Sequence, residues 1–133
     1  SINPEIDIGQ VEGAFIMGLG YWLTEQAIYD PTTGLELNTG TWDYHPPFSK
    51  DIPIDFRVSL LKDAPNPLGI LRSKAVGEPP QCMSCSCLFA VQDAIYHARE
   101  EIKKDKDYFA LDGPATVEAT QLKCLVDPSQ FVF

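Results

Sequence analysis

Residues 6–28, IDIGQVEGAFIMGLGYWLTEQAI, are the first organised stretch of the chain. Their apolar side chains recur at the intervals of an amphipathic helix, at Val11, Phe15, Leu19, Trp22 and Leu23. Asp7 and Gln10 have the three-residue spacing of a capping box, with Asp in place of Ser or Thr. The pattern predicts a helix from Ile6 to about Ile28 that begins at this box.

Four glycines interrupt this helix pattern, at Gly9, Gly13, Gly18 and Gly20. Each costs a helix about 1 kcal/mol relative to alanine, so a compensating use is expected. Close helix packing is one such use, and close approach of the backbone to a bulky ligand is another. The residues alone favour packing and leave the ligand as the alternative.

The clearest strand signal lies between Ile52 and Leu60, where apolar residues alternate with polar ones. Residues 35–44 are rich in β-branched and aromatic types, which predicts an extended segment, and Ile70–Arg72 has the composition of a short strand. With helices on either side in the sequence, these segments predict an α+β fold in which helices pack on a small, mostly antiparallel sheet.

Two further helices are predicted in the second half of the chain. Leu88, Val91, Ile95, Ala98 and Ile102 keep a helical spacing, which predicts one long amphipathic helix from about Gln81 to Lys104. Thr116 has a side chain suited to capping a last helix from Val117 to Leu125.

Composition excludes several classes of protein. The chain has 133 residues, one domain's worth, and carries 10 Lys and Arg against 19 Asp and Glu, a net charge of −9. Nucleic acids and anionic membrane surfaces attract basic proteins, so neither is an expected partner. No apolar run reaches the roughly 18 residues of a membrane span.

The four cysteines are Cys82, Cys85, Cys87 and Cys124. Their crowding is unlike a secreted disulfide framework, so reduced thiols and a cytoplasmic protein are expected. Cys82 and Cys85 have a zinc-like interval, but a second paired cluster is missing and Cys is often buried. Packing thiols are therefore favoured over a metal or redox site, and no residue is predicted to ligate a metal.

Glu78 is the strongest candidate for chemistry outside the first helix. It lies in KAVGEPP, residues 74–80, between Gly77 and two prolines that begin a helix. A carboxylate held on a rigid loop at a helix start is suited to act as a general base. An ordinary acidic residue in a first helical turn is the alternative, and the residues alone favour it.

Four segments resemble the molybdenum hydroxylases, the family of xanthine dehydrogenase and aldehyde oxidase. They are DIGQVEGAF with GLG at residues 7–15 and 18–20, IPIDFRV at 52–58, SKAVGEPP at 73–80 and LDGPAT at 111–116. Residues 42–47 and 66–69 look most like aldehyde oxidases of the insect type. Met17 and the polar, thiol-rich residues 81–87 depart from the family pattern.

The resemblance implies that residues 1–133 are a C-terminal fragment of the molybdopterin-binding domain of a much larger enzyme. It implies that Glu78 is the catalytic base, which takes a proton from the hydroxyl group on molybdenum. It places Gln10, Gly9 and Gly77 beside the molybdenum cofactor, and it implies FAD and two 2Fe-2S clusters in upstream domains. The fragment alone is expected to be inactive.

The implied reaction is hydroxylation of an aldehyde to a carboxylic acid, or of an N-heterocycle, by a cytoplasmic enzyme that is a homodimer at full length. Xanthine dehydrogenase, which hydroxylates purines, is the first alternative. A non-catalytic, stand-alone binding module is the second. Exposed apolar surface is also expected, because a piece of a larger domain lacks its packing partners.

Overall fold

Four helices dominate the computed structural model, which describes residues 1–70, 74–102 and 107–131. In chain order they are α1 (Pro4–Leu23), α2 (Glu78–Met83), α3 (Ser86–Glu101) and α4 (Val117–Lys123). Single 3-10 turns lie at Ser49–Asp51 and Pro128–Gln130. Helix α1 packs against α2 and α3, and α3 packs against α4.

Helix α1 confirms the first predicted helix but begins differently. Asn3 is the N-cap, its side chain accepts a hydrogen bond from the Ile6 amide at 3.4 Å, and Pro4 occupies the first turn. The predicted capping box at Asp7 is wrong because Pro4, with its fixed φ, starts the helix one turn earlier. The helix also ends at Leu23 rather than near Ile28.

The predicted sheet is wrong. Across the described ranges the chain forms no strand, and an isolated antiparallel bridge joins Tyr29 and Glu36. Residues 52–60 alternate as a strand would, yet a strand also needs a neighbour to accept and donate its backbone hydrogen bonds. Among the described residues, no backbone hydrogen bond involves residues 52–60. Leu71 and Arg72, part of the third predicted strand, lie outside the described residues.

The predicted long helix is two helices, α2 and α3, separated at Ser84 and Cys85. Ser84 is completely buried, and its hydroxyl donates to the Gln81 carbonyl group. This local side-chain bond and the tight contact of Ser84 with α1 fix the break between the two helices. The spacing of apolar residues in the sequence predicts neither of these contacts. The predicted end at Lys104 lies outside the described residues.

Helix α4 confirms the last predicted helix and its cap. The Thr116 hydroxyl oxygen accepts a hydrogen bond from the Ala119 amide at 3.2 Å. The helix ends at Lys123, two residues before the predicted end, and Leu125 has a positive φ of 58°. A left-handed residue just after the last turn is a usual way for a helix to end.

The described core is small and centres on α3. Its buried apolar side chains are Leu88, Ile95, Phe109 and Ala115. Arg99 is buried among them, its guanidinium group 4.0 Å from the centre of the Phe109 ring. The Arg99 Nε atom donates to the Lys123 carbonyl group at 2.7 Å. One side chain thus joins α3, the loop before α4 and the end of α4.

The surface is large for the chain's mass. The accessible area is 10624 Å², whereas an independent folded protein of this mass exposes about 7,000 Å². Large apolar side chains contribute to the excess, among them Trp42, Ile54, Leu61 and Leu68. The expected exposure of apolar surface is confirmed. Within the ranges that the structure describes, no helix is long and apolar enough to cross a membrane.

Candidate functional site

The structure brings three of the predicted site residues together. Gln10 lies in the second turn of α1, Gly77 is the N-cap of α2, and Glu78 is the first residue of α2. A methyl group added at Gly77 would lie 3.5 Å from the Gln10 Oε1 atom. Residues far apart in sequence therefore meet where α1 passes the start of α2.

Glu78 and Gln10 both present their polar groups to the outside of the fragment. Both residues are exposed. In the described part of the chain, neither side chain takes part in a hydrogen bond or ion pair. A carboxylate and an amide without protein partners, on adjoining elements, can both contact a bound molecule.

Gly9 lies on the open side of α1, next to Gln10 in sequence. A methyl group added at Gly9 or at Gly13 would meet nothing within 4 Å. Both glycines line an open cleft of about 740 Å³, here called the glycine cleft, with Ile16, Tyr21 and Phe56 among its walls. The backbone of α1 is therefore accessible along this side.

A second open cleft lies on another side of the same helix pair. It has a volume of about 900 Å³ and is here called the proline cleft, after Pro65, Pro79 and Pro80 in its lining. Glu78 lines neither cleft. Of the residues that follow it, Pro79 and Pro80 line the proline cleft, and Gln81 lines the glycine cleft.

The other two glycines of α1 are packing residues. A methyl group at Gly18 would come within 2.7 Å of the Ser84 Cβ atom and 2.8 Å of the Gln81 carbonyl oxygen. At Gly20 it would come within 2.5 Å of the Pro47 ring. The packing explanation is therefore correct for Gly18 and Gly20, whereas Gly9 and Gly13 have open space beside them.

A polar cluster that sequence reasoning missed closes the far end of the glycine cleft. The Tyr44 hydroxyl donates to the Glu25 carboxylate at 2.8 Å, which raises the pKa of the Tyr44 phenol. The Thr24 hydroxyl donates to the His45 carbonyl oxygen at 2.7 Å. These bonds hold residues 44–47 against the end of α1, and no spacing in the sequence indicates them.

The cysteines only partly follow the packing prediction. Cys85, Cys87 and Cys124 are half-buried, but Cys82 is exposed, and no disulfide joins any of them. Burial raises the pKa of the Cys87 thiol. Among the described residues, no group of three or more His, Cys, Asp and Glu side chains is placed to hold a metal ion.

Comparison with known proteins identifies the first part of the chain. Residues 1–53 match the family model of a molybdopterin cofactor-binding domain. This range includes α1 with Gly9 and Gln10, and it ends before Gly77 and Glu78. The predicted molybdopterin cofactor is confirmed at the level of the family, whereas the cofactor contacts predicted for Gly9 and Gln10 stay predictions.

Relatives extend the match over nearly the whole chain. It is 48% identical over 126 residues to the xanthine dehydrogenase/oxidase of Rattus norvegicus, covering 94% of this chain and 9% of the relative. It is 46% identical over 125 residues to the xanthine dehydrogenase of Dictyostelium discoideum, with 94% and 9% covered. The chain thus spans less than a tenth of the length of these relatives.

A solved structure has the same fold. The chain matches the crystal structure of quinoline 2-oxidoreductase from Pseudomonas putida 86 with a TM-score of 0.75 and 30% identity. The match covers 96% of this chain and 15% of that one. From these matches, the chain is a segment of a molybdenum hydroxylase of the xanthine dehydrogenase family and includes part of its molybdopterin cofactor-binding domain.

Proposed function

We propose that this chain supplies the general base and part of the cofactor-binding surface of an oxidoreductase that hydroxylates carbon at a molybdenum site. The observation that carries the proposal is that Gln10 lies beside Gly77. A methyl group added at Gly77 would lie 3.5 Å from the Gln10 Oε1 atom. This arrangement sets an unpaired amide beside the loop that holds an unpaired carboxylate, Glu78. A base and a cofactor-side hydrogen-bonding group need such proximity.

The residues present fit a molybdopterin cofactor. Gly9 and Gly13 carry no side chain, and a methyl group added at either position would meet nothing within 4 Å. A large, flat, polar cofactor can approach the helix backbone there more closely than at any position with a side chain. We propose that Gly9 and Gly77 permit this approach and that the Gln10 amide hydrogen-bonds the cofactor.

The role of Glu78 is to accept a proton. When bound, the molybdenum cofactor supplies the two-electron oxidation of the substrate carbon. Formation of the new carbon–oxygen bond requires that a proton leave the attacking oxygen. Glu78 is the exposed carboxylate nearest in sequence to Gly77, and we propose that one of its oxygens takes this proton. General bases of this kind contribute about 10²–10⁴-fold to turnover.

An N-heterocycle is the proposed substrate class. The relatives described above are named for xanthine and for quinoline, and both of these compounds are N-heterocycles. An aldehyde is the second candidate, favoured by the resemblance of residues 42–47 and 66–69 to insect-type aldehyde oxidases. The specific assignment to aldehyde oxidase rests on those two stretches alone.

The remaining properties concern the full-length protein. The fragment's large exposed surface supports the proposal that residues 1–133 belong to one larger molybdopterin-binding domain, whose other parts cover this surface. We propose that the full-length enzyme also carries FAD and two 2Fe-2S clusters, is a cytoplasmic homodimer, and takes a small-molecule substrate.

The test of the base is Glu78→Gln in the full-length protein. The amide keeps the size of the side chain but does not accept the proton, so turnover should fall by about 10²-fold or more while molybdenum content stays unchanged. The matched control is Glu118→Gln, since Glu118 is likewise an exposed glutamate in the first turn of a helix, α4. Near-normal turnover in Glu78→Gln would refute the proposed base.

A separate measurement decides the substrate class. We expect kcat/KM to be higher for hypoxanthine or quinoline than for benzaldehyde. The reverse order would favour the aldehyde candidate. Purified full-length protein without molybdenum would instead support the alternative of a non-catalytic binding module.

A further inference from the structure

The junction between α2 and α3 carries two cysteines on one turn. Cys82 lies in α2, and Cys85 is the residue immediately before α3. The Cys85 amide donates to the Cys82 carbonyl oxygen at 3.2 Å. The two thiols therefore sit three residues apart on a hydrogen-bonded turn.

The backbone of this turn brings the two cysteines close to disulfide distance, although their Cβ atoms must still approach by about 1–2 Å. Ser84 (φ −63°, ψ −10°) and Cys85 (φ −55°, ψ −19°) keep helical backbone angles, so residues 82 and 85 share one face, with Cβ atoms about 5–6 Å apart. The ends of such a turn lie within about 7 Å, and disulfides join Cα atoms about 4.4–6.8 Å apart. A small local movement is enough to bring the sulfur atoms together.

The other two thiols are poorly placed to compete. Cys87 is two residues from Cys85 on a helix, so their side chains do not face each other. Burial raises the pKa of the Cys87 thiol, which lowers the fraction of reactive thiolate. Cys124 is the C-cap of the separate helix α4. Within residues 1–133, Cys82 is the exposed thiol of the four, so it is the one assigned to react first.

We propose that Cys82 and Cys85 form a peroxide-sensitive dithiol that closes reversibly to a disulfide. The Cys82 thiolate attacks hydrogen peroxide, breaks the oxygen–oxygen bond and becomes a sulfenic acid, with release of water. The Cys85 thiol then attacks this sulfur and releases a second water. Two thiols lose two protons and two electrons, and one peroxide takes them up and is reduced to two waters.

Closure acts on the site through Ser84. This residue lies between the two cysteines, is completely buried and contacts α1 at Gly18. Drawing Cys82 towards Cys85 strains a junction that has no free space on the α1 side. Because α2 carries Glu78 at its other end, oxidation is expected to lower turnover, an effect that rests on the proposed function.

The first experiment measures chemistry rather than activity. Full-length protein is treated with hydrogen peroxide, alkylated, digested and analysed by mass spectrometry. The peptide that contains Cys82 should lose two hydrogen atoms and regain them with dithiothreitol. Cys82→Ser and Cys85→Ser should each abolish this change, whereas Cys87→Ser and the control Cys124→Ser should leave it intact.

Two results would overturn the dithiol. One is a mass loss that persists in Cys82→Ser or Cys85→Ser. The other is addition of oxygen to Cys82 without any cross-link.

A second experiment measures turnover of the oxidised protein. We expect a several-fold fall that dithiothreitol reverses, absent in Cys85→Ser. Unchanged turnover of a fully cross-linked protein would overturn the coupling. It would leave the proposed base untouched, because that depends on Glu78→Gln.

Discussion

The two ends of α1 use the same residue for opposite purposes. At the C-terminal end, Gly18 and Gly20 lie where a side chain would collide with Ser84 or Pro47. At the N-terminal end, Gly9 and Gly13 face open space. Glycine lowers helix stability at both ends. Close packing within the described part of this chain offsets that loss only for the C-terminal pair. No packing among the described residues explains Gly9 and Gly13, which is why they are proposed to admit a molecule from outside the chain.

The sharpest test of this comparison is Gly18→Ala. The added methyl group would lie 2.8 Å from the Gln81 carbonyl oxygen, which belongs to the backbone and cannot rotate away. Overpacking outweighs the gain in helix propensity, so the free energy of unfolding should fall by about 1–2 kcal/mol. Urea denaturation measures the change, and an equal or higher stability would break the distinction between the two ends.

Gly20→Ala is expected to have a smaller effect in the same direction. Its new methyl group would meet the Pro47 ring, which lies in a loop and can shift, rather than helix backbone. We expect a loss of about 1 kcal/mol in the same denaturation experiment. A loss larger than that of Gly18→Ala would mean that the loop, and not α2, is the more rigid neighbour.

Gly9→Ala should act in the opposite sense. The added methyl group has nothing within 4 Å, so it raises helix propensity and lowers the conformational entropy of the unfolded chain. The free energy of unfolding should rise by about 0.5–1 kcal/mol. If Gly9 admits the cofactor, the same variant should lower the molybdenum content of the full-length protein. Stability that rises while molybdenum content stays normal would leave Gly9 without its proposed role.

The smallest effect concerns the loop that follows the packed end of α1. The backbone amides of Thr33 and Thr32 donate to the Asp30 carboxylate at 2.8 Å and hold its pKa below the usual 3.8. The stabilising effect is therefore present above pH 3.8 and is lost as the pH falls through the lowered value. Asp30→Asn should be slightly less stable than the parent protein at pH 6, and the difference should vanish in strong acid.

Local signals in the sequence predicted the helices and some of their ends. Thr116 caps α4 as predicted, because an N-cap acts over only three residues. Pro4 overrode the predicted start at Asp7 for an equally local reason. The turn at Asp30 is also held by a local bond, in which the Gly34 amide donates to the Asp30 carbonyl oxygen at 2.8 Å.

Long-range features were predictable only in part. The alternation at Ile52–Leu60 reports which side chains avoid water, but not whether another strand pairs with them. Phe56 does contact α1, with its ring 5.5 Å from that of Phe15, although no sheet forms. The proximity of Gln10 to the Glu78 loop could not be read from spacing, and it was expected from the family resemblance alone. Their roles in catalysis stay predictions.

The position of Arg99 has a consequence for how the second half of the chain unfolds. A seven-residue helix such as α4 is too short to persist in water without tertiary support. Its last turn accepts a hydrogen bond from Arg99, which also contacts the Phe109 ring. Amide hydrogens of α4 and of the C-terminal turn of α3 should therefore exchange with solvent together, as one cooperative unit rather than two.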